Sequence, residues 1–252
     1  METGYGLCSM FLPGSRHVVI GTKEGDLELY EVGSGNLLEE QEAHKSEVWA
    51  IALLPDQSGI ISGGADKKLK FWEFQLVESE ERSTKVLSLV HTKTITMEDA
   101  ILAATFSADG KFLAIALLDN TVKVFHADTM NFFLSLYGHK LPVLSLDISS
   151  DGTVLATASA DKNVKLWGLD FGDCHRSIFA HDDNVMQIKF VPGTHYFFTV
   201  GKDKVVKYWD GDTVCKASCA WREGIGTHGT RGCSMRRFCR FLDTSGRFGV
   251  LL

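Results

Sequence analysis

The chain has 252 residues, 44% of them hydrophobic and 23% charged, with a formal net charge of −6. This balance allows one sizeable core and excludes wholesale disorder. The longest apolar runs, Val48 to Leu54 and Phe112 to Leu118, are strand-sized, and METGYGLCSM has no basic n-region; neither a membrane span nor a signal peptide is expected, and the six cysteines should stay reduced in a cytosolic or nuclear compartment.

Residues near 7–41 read LCSMFL, the turn Pro13-Gly14-Ser15, HVVIG, the turn Lys23-Glu24-Gly25, DLELYEV, and an outer strand near Asn36 to Gln41. Short apolar runs cut by Gly, Pro, Asp and Ser predict antiparallel strands joined by tight turns. Residues 44–93 repeat the plan as HKSEVWAIALLPDQSGIISGGADKKLKFWEF, with Asp56 and Asp66 in the turns. Its alternation is imperfect, as expected where both faces of an inner strand are packed. VESEERSTKVLS, from Val77 to Ser88, is polar and acidic and reads as a solvated loop before the outer strand, with Ser79, Ser83 and Thr84 as exposed hydroxyls. Residues 100–136 form a third unit around AILAATFSADGKFLAIALLDNTVKVF. Residues 142–179 form a fourth, preceded by Gly138-His139 and carrying Trp167, and residues 184–218 a fifth, preceded by His181 and carrying Trp209.

The spacing between units is regular. Tyr30 to Trp72, Phe125 to Trp167 and Trp167 to Trp209 are each 42 positions, and Trp72 to Phe125 is 53. Glu24, Asp66, Asp119, Asp161 and Asp203 stand six positions before these aromatics, and His44, His139 and His181 stand 22 before three of the acids. Such a period and such marks predict an all-β WD-repeat β-propeller, with about five four-stranded blades over residues 1–212 in an open, incomplete ring.

In WD-repeat proteins, which the chain resembles here, a Trp, a Ser or Thr, a His and an Asp form a hydrogen-bonded tetrad in each blade. The resemblance implies that His139, Ser159, Asp161 and Trp167 form one, with equivalent positions at His44, Asp66, Trp72, Asp119, His181, Asp203 and Trp209. His139, Ser159 and Asp161 also have the residue types of a nucleophilic triad. The structural reading is stronger, because a buried indole, hydroxyl and imidazole must all find partners and a triad is recognised by geometry. GTKEGD and GGADKK lack the glycine spacing and the Lys-Ser/Thr of a phosphate loop. No catalytic, cofactor or metal site and no small-molecule substrate is expected.

Composition changes near residue 212. From Thr213 onward seven basic residues stand against two acidic ones, so residues 213–252 carry +5 and residues 1–212 carry −11. This basic tail, rich in Gly and Cys, is expected to be disordered. Cys215, Cys219, Cys233 and Cys239, with His228, raise the idea of a zinc site, but C-x3-C-x13-C-x5-C matches no common finger or ribbon, and reduced cysteines are the favoured reading. Arg236-Arg237-Phe238-Cys239-Arg240-Phe241 interleaves basic and aromatic residues as single-strand binders do, though a solvated tail accounts for it as well.

Beyond the repeat, KLWGLDFGDCHRSIFAHDDNVMQIKFVP (165–192), GTKEGDLELYEVGSGNLLE (21–39) and LLDNTVKVF (117–125) carry detail the fold does not need. Over residues 5–212 the chain resembles the WD repeat-containing protein 3 family, WD-repeat subunits of the UTP-B part of the small-subunit processome. The resemblance implies two propellers in the family, of which this segment falls in the second, and a helical C-terminal domain that pairs with another UTP-B subunit. It implies a nonenzymatic nucleolar scaffold in pre-rRNA processing, bound to other UTP-B proteins and only indirectly to snoRNA or pre-rRNA, with no membrane contact. The alternative from another class is an adaptor that recruits peptide motifs to a signalling or ubiquitin-ligase complex. Blade loops and edges are the expected contact surfaces, with HRSIFAHDDN (175–184) and its Asp182-Asp183 pair a segment to examine.

Overall fold

A computed structural model describes residues 4–78 and 85–212 and the backbone of 216–222. Residues 1–221 form one compact unit. The tail beyond Arg222, with Cys233, Cys239, His228 and the Arg236 to Phe241 run, lies outside the described residues, as do residues 79–84 and the side chains of Cys215 and Cys219.

Among the described residues there are twenty strands and no helix, arranged as five sheets of four antiparallel strands in chain order. Blade 1 holds β1 (Gly6–Phe11), β2 (His17–Thr22), β3 (Asp26–Glu31) and β4 (Leu37–Glu42); blade 2 holds β5 (Val48–Leu53), β6 (Gly59–Gly64), β7 (Lys68–Glu78) and β8 (Lys85–Thr96). Blade 3 holds β9 (Ile101–Phe106), β10 (Phe112–Leu117), β11 (Val122–His126) and β12 (Phe132–Leu136). Blade 4 holds β13 (Val143–Ile148), β14 (Val154–Ser159), β15 (Asn163–Gly168) and β16 (Cys174–Phe179), and blade 5 holds β17 (Val185–Phe190), β18 (Tyr196–Gly201), β19 (Val205–Asp210) and β20 (Lys216–Arg222). The innermost strands pack in the series β1, β5, β9, β13, β17, and the ring is not closed within this segment.

The core lies between blades. One apolar cluster fills each junction: Leu27 and Leu29 meet Ile60 and Trp72; Ile61 and Leu69 meet Leu113 and Ile115; Ala114 and Val124 meet Leu155 and Trp167; Ala156 and Leu166 meet Phe197 and Trp209. Side chains of a strand point alternately to its two faces. Ile60 therefore serves the junction before blade 2 and Ile61 the one after it, which is why the middle strands read as continuous apolar runs.

Two boundaries differ from the sequence expectation. Val77 and Lys85 to Ser88 are strand, because β7 and β8 continue as one long hairpin with Leu76 opposite Leu87 and Val77 opposite Val86. The extension is anchored to blade 1: Leu87 and Phe74 pack on its cluster, and the Glu39 carboxylate accepts the Leu89 N–H at 2.8 Å and the Ser88 hydroxyl at 3.0 Å. The 42-residue beat is therefore broken largely by a longer hairpin. At the other end, β20 runs a little past the expected fifth unit, 184–218, so the outer strand of blade 5 overlaps the segment read as tail.

Polar contacts also couple blades. Asp147 on β13, its side chain 7% exposed, accepts the Phe190 N–H at 2.8 Å and the Lys189 ammonium at 2.7 Å. Asp147→Ala should leave that buried N–H without an acceptor and cost about 1–3 kcal/mol. A lower urea midpoint, with faster amide exchange along β17, is the expected readout; unchanged exchange there would mean that packing alone holds the junction.

Candidate functional site

The expected site residues converge in three blades. In blade 4 the His139 ring sits between two partners, with Nδ1 2.9 Å from Asp161 Oδ2 and Nε2 2.8 Å from Thr157 Oγ1, and the Trp167 indole N–H donates to the same hydroxyl at 2.9 Å. Blade 2 repeats this with His44, Asp66, Ser62 and Trp72, at 2.9, 2.7 and 2.9 Å. Blade 5 repeats it with His181, Asp203, Thr199 and Trp209, at 3.0, 2.8 and 2.9 Å.

The hydroxyl of blade 4 thus comes from Thr157, which corrects the expectation of Ser159. Both residues point to the same face of β14, two positions apart, but Thr157 lies opposite Leu146 inside the sheet and Ser159 opposite Val143 at the strand end. From there the Ser159 hydroxyl donates to the Leu141 carbonyl at 2.8 Å and accepts the Asp161 N–H at 3.0 Å. It meets neither His139 nor Trp167, so the triad has no geometric basis. The positions equivalent to Ser159 are Gly64 and Gly201, where a Cβ would press on the His44 and His181 rings. Ser62 and Thr199, absent from the sequence reading, stand like Thr157 ten positions before the Trp and 18 after the His.

The distances suit one protonation pattern, in which each ring is neutral and carries its proton on Nδ1. Each indole N–H uses the hydroxyl oxygen as acceptor, so the hydroxyl is free to donate to Nε2, and the ring, as a neutral imidazole, donates from Nδ1 to the carboxylate. Burial pushes all three imidazoles below their ordinary pKa and outweighs the upward pull of the aspartates. For Asp66, Asp161 and Asp203 burial acts upward but is outweighed by the His and by backbone N–H donors, so each carboxyl lies below its usual range. Those donors are Lys45 and Lys68, Lys140 and Asn163, and Asp182 and Val205. Each aspartate thus ties its own turn to the chain entering the blade. With every polar atom engaged and the rings buried, the tetrads hold the blades and offer no free base or nucleophile.

Blade 3 replaces the set consistently. Ile115, Phe125 and Met97 stand where hydroxyl, indole and imidazole would be, all inside one apolar cluster, and Asp119 accepts the Thr121 N–H and hydroxyl at 2.9 and 2.6 Å. In blade 1, Ile20 takes the hydroxyl position and Tyr30 the indole position, and the Tyr30 hydroxyl donates to buried Glu28 at 2.9 Å.

The family profile described as the WDR3 second beta-propeller domain matches residues 1–219. The chain belongs to this family. WD repeat-containing protein 3 of Homo sapiens is 57% identical over 143 residues, covering 57% of this chain and 15% of that protein. The homolog from Dictyostelium discoideum is 56% identical over 143 residues, covering 56% of this chain and 15% of its own length. U3 small nucleolar RNA-associated protein 12 of Saccharomyces cerevisiae is 51% identical over 152 residues, covering 58% of this chain and 16% of that protein. The matched segment is therefore a small part of each of these relatives.

In this WDR3-type propeller segment the exposed features also recur with the repeat. Every innermost strand carries a register shift near its start, and the residue in it is Leu7, Trp49, Leu102, Leu144 or Met186. A bulge re-aims its side chain out of the ladder. Trp49 is 41% and Met186 48% exposed, and the other three are half-buried. The segment 175–184 divides differently: His181 is fully buried in its tetrad, whereas Asp182 is exposed and Asp183 accepts the Asn184 N–H at 2.8 Å.

Proposed function

We propose that this chain is a nonenzymatic scaffold of the small-subunit processome type, acting in the nucleolus in pre-rRNA processing and small ribosomal subunit biogenesis. Its partners are other processome proteins, UTP-B subunits among them, and RNA is met indirectly. Family membership supports this reading, as does the name of the yeast relative, a U3 small nucleolar RNA-associated protein. The observation that carries it is the row of large apolar side chains at the five bulges, which a fold held by its own tetrads does not need. Rigid blades that present such residues bind partners rather than transform substrates. The −11 charge of residues 1–212 opposes broad binding to phosphate backbones, which depends on clustered Lys and Arg.

The test is co-sedimentation with pre-ribosomal particles, comparing this chain with a version that also carries the helical pairing domain implied by the family. This chain should enter particles weakly, the longer one stably, and Trp49→Asp with Met186→Asp should reduce both. Absence of either chain from particles, with recovery of a ubiquitin ligase or signalling complex, would favour the adaptor reading.

A further inference from the structure

The turn between β15 and β16 differs from its counterparts in one respect. After the aromatic that closes the third strand, the other blades have Glu31, Glu73, His126 and Asp210, whereas blade 4 has Gly168. Three ligand atoms converge over that glycine. A methyl group placed on it would lie 2.7 Å from Asp170 Oδ1, 2.7 Å from His175 Nε2 and 3.0 Å from Asp173 Oδ1. Ligand atoms of the three residues lie within 4.8 Å of one another, and His175 Nε2 is 3.2 Å from Asp173 Oδ2.

The backbone holds this arrangement. Gly168 N–H donates to the Asp173 carbonyl at 3.0 Å, and Gly172 N–H donates to the Gly168 carbonyl at 2.9 Å. The tetrads and bulges do not use this cluster, and it lies in the LDFGDCH stretch whose detail the fold leaves unexplained.

We propose that Asp170, Asp173 and His175 form a binding site for a divalent cation of the zinc type. Two carboxylates and one imidazole form a donor set that zinc accepts, and ligand atoms at 2.0–2.2 Å from a tetrahedral ion stand roughly 3.3–3.6 Å apart. The 3.2 Å separation of His175 Nε2 and Asp173 Oδ2 is already near that value. The imidazole distinguishes the site from a plain group of carboxylates, which suits hard ions such as calcium or magnesium. All three residues are exposed, so an ion can enter from solvent and water can fill the fourth position. A bound ion would neutralise the two carboxylates and pin the turn on the outer side of blade 4.

Zinc chloride alone is the probe, titrated into the isotope-labelled full chain and followed by amide shifts and calorimetry. The same titration on a chain with Cys174, Cys215, Cys219, Cys233 and Cys239 all changed to Ser removes both the exposed thiol beside the ligands and those of the tail. The Cys-to-Ser chain should show one saturable site, and in both chains amides of residues 168–176 should shift together. His175→Gln and Asp173→Asn should each weaken binding at least about tenfold, since even losing an outer-shell partner of a metal site costs that much. Gly168→Ala should do the same by filling the space between the donors, with amide dispersion confirming its fold. Binding unchanged in His175→Gln, shifts confined to other regions, or no saturable binding in the Cys-to-Ser chain would each overturn the proposal.

Discussion

Thr157→Val should lower the unfolding free energy by about 2–6 kcal/mol, whereas Ser159→Ala should cost about 1 kcal/mol. Valine matches threonine in shape, so the first change creates no cavity. It puts a methyl against the Trp167 indole N–H and His139 Nε2, leaving two buried polar atoms without partners. Each orphaned group costs about 1–3 kcal/mol. Ser159 loses a bond to a carbonyl and a bond from a turn N–H, contacts that blades 2 and 5 dispense with by having Gly64 and Gly201 there. Thr157→Ser should cost only about 1 kcal/mol, the share of its buried methyl, because Ser62 makes the same hydrogen bonds in blade 2. Blade 3 supplies a further control in Met97, Ile115 and Phe125. Copying it as His139→Met, Thr157→Ile and Trp167→Phe removes all the interdependent groups at once, and should be milder than the sum of its single changes. Urea unfolding of the set measures this, and a Thr157→Val chain as stable as the parent, beside a crippled Ser159→Ala chain, would restore Ser159 as the tetrad hydroxyl.

The same residues show what was legible in the sequence. The 42-residue beat and its His, Asp and Trp marks disclose the blades, because each repeat must close the same turn and fill the same junction. The hydroxyl is harder to place. Thr157 and Ser159 are both small, both hydroxylic and on one face of β14, so strand parity cannot separate them. Aligning the repeats on the Trp separates them: the position ten before it holds Ser62, Thr157 and Thr199 where the His is present, and Ile20 and Ile115 where it is absent. Outer strands are faint for a different reason. β16 has only Ile178 buried, so little apolar pattern is imposed on such a strand, and polar sequence such as that of the β7 and β8 extension or β20 resembles loop. Asp147 left no mark because its partners, Lys189 and the Phe190 N–H, come from the next repeat.

Acidification through 6.5 should make this protein unfold more readily, through the three tetrad histidines. The folded pKa of His44, His139 and His181 is depressed below the ordinary 6.5 by burial, so near that pH the unfolded chain takes up protons that the folded rings refuse. Stability is therefore fully present above 6.5 and falls as the pH drops toward the folded values. Three such groups give a limiting slope of about 4 kcal/mol per pH unit. Asp66, Asp161 and Asp203, held below 3.8, add a further loss only at more acidic pH. His195 acts in the opposite sense. Its Nδ1 lies 2.7 Å from Asp212 and its Nε2 2.9 Å from Asp151, and these bonds raise its pKa above 6.5, so its contribution is present below that value and fades as the pH rises through the folded one. Below 6.5 it is protonated in both states and cannot offset the tetrads. Stability should therefore peak close to the ordinary histidine pKa, falling steeply on the acid side and gently on the alkaline side. Urea unfolding at intervals from about pH 5 to 8 covers both limbs. His195→Gln should flatten only the alkaline limb, and the blade-3-like replacement in blade 4 should remove about one third of the acid slope, one imidazole of three. Stability that holds steady or rises on acidification through 6.5 would mean that the aspartates keep the buried imidazoles charged, and the neutral Nδ1–H tautomer assigned to the tetrads would then be wrong.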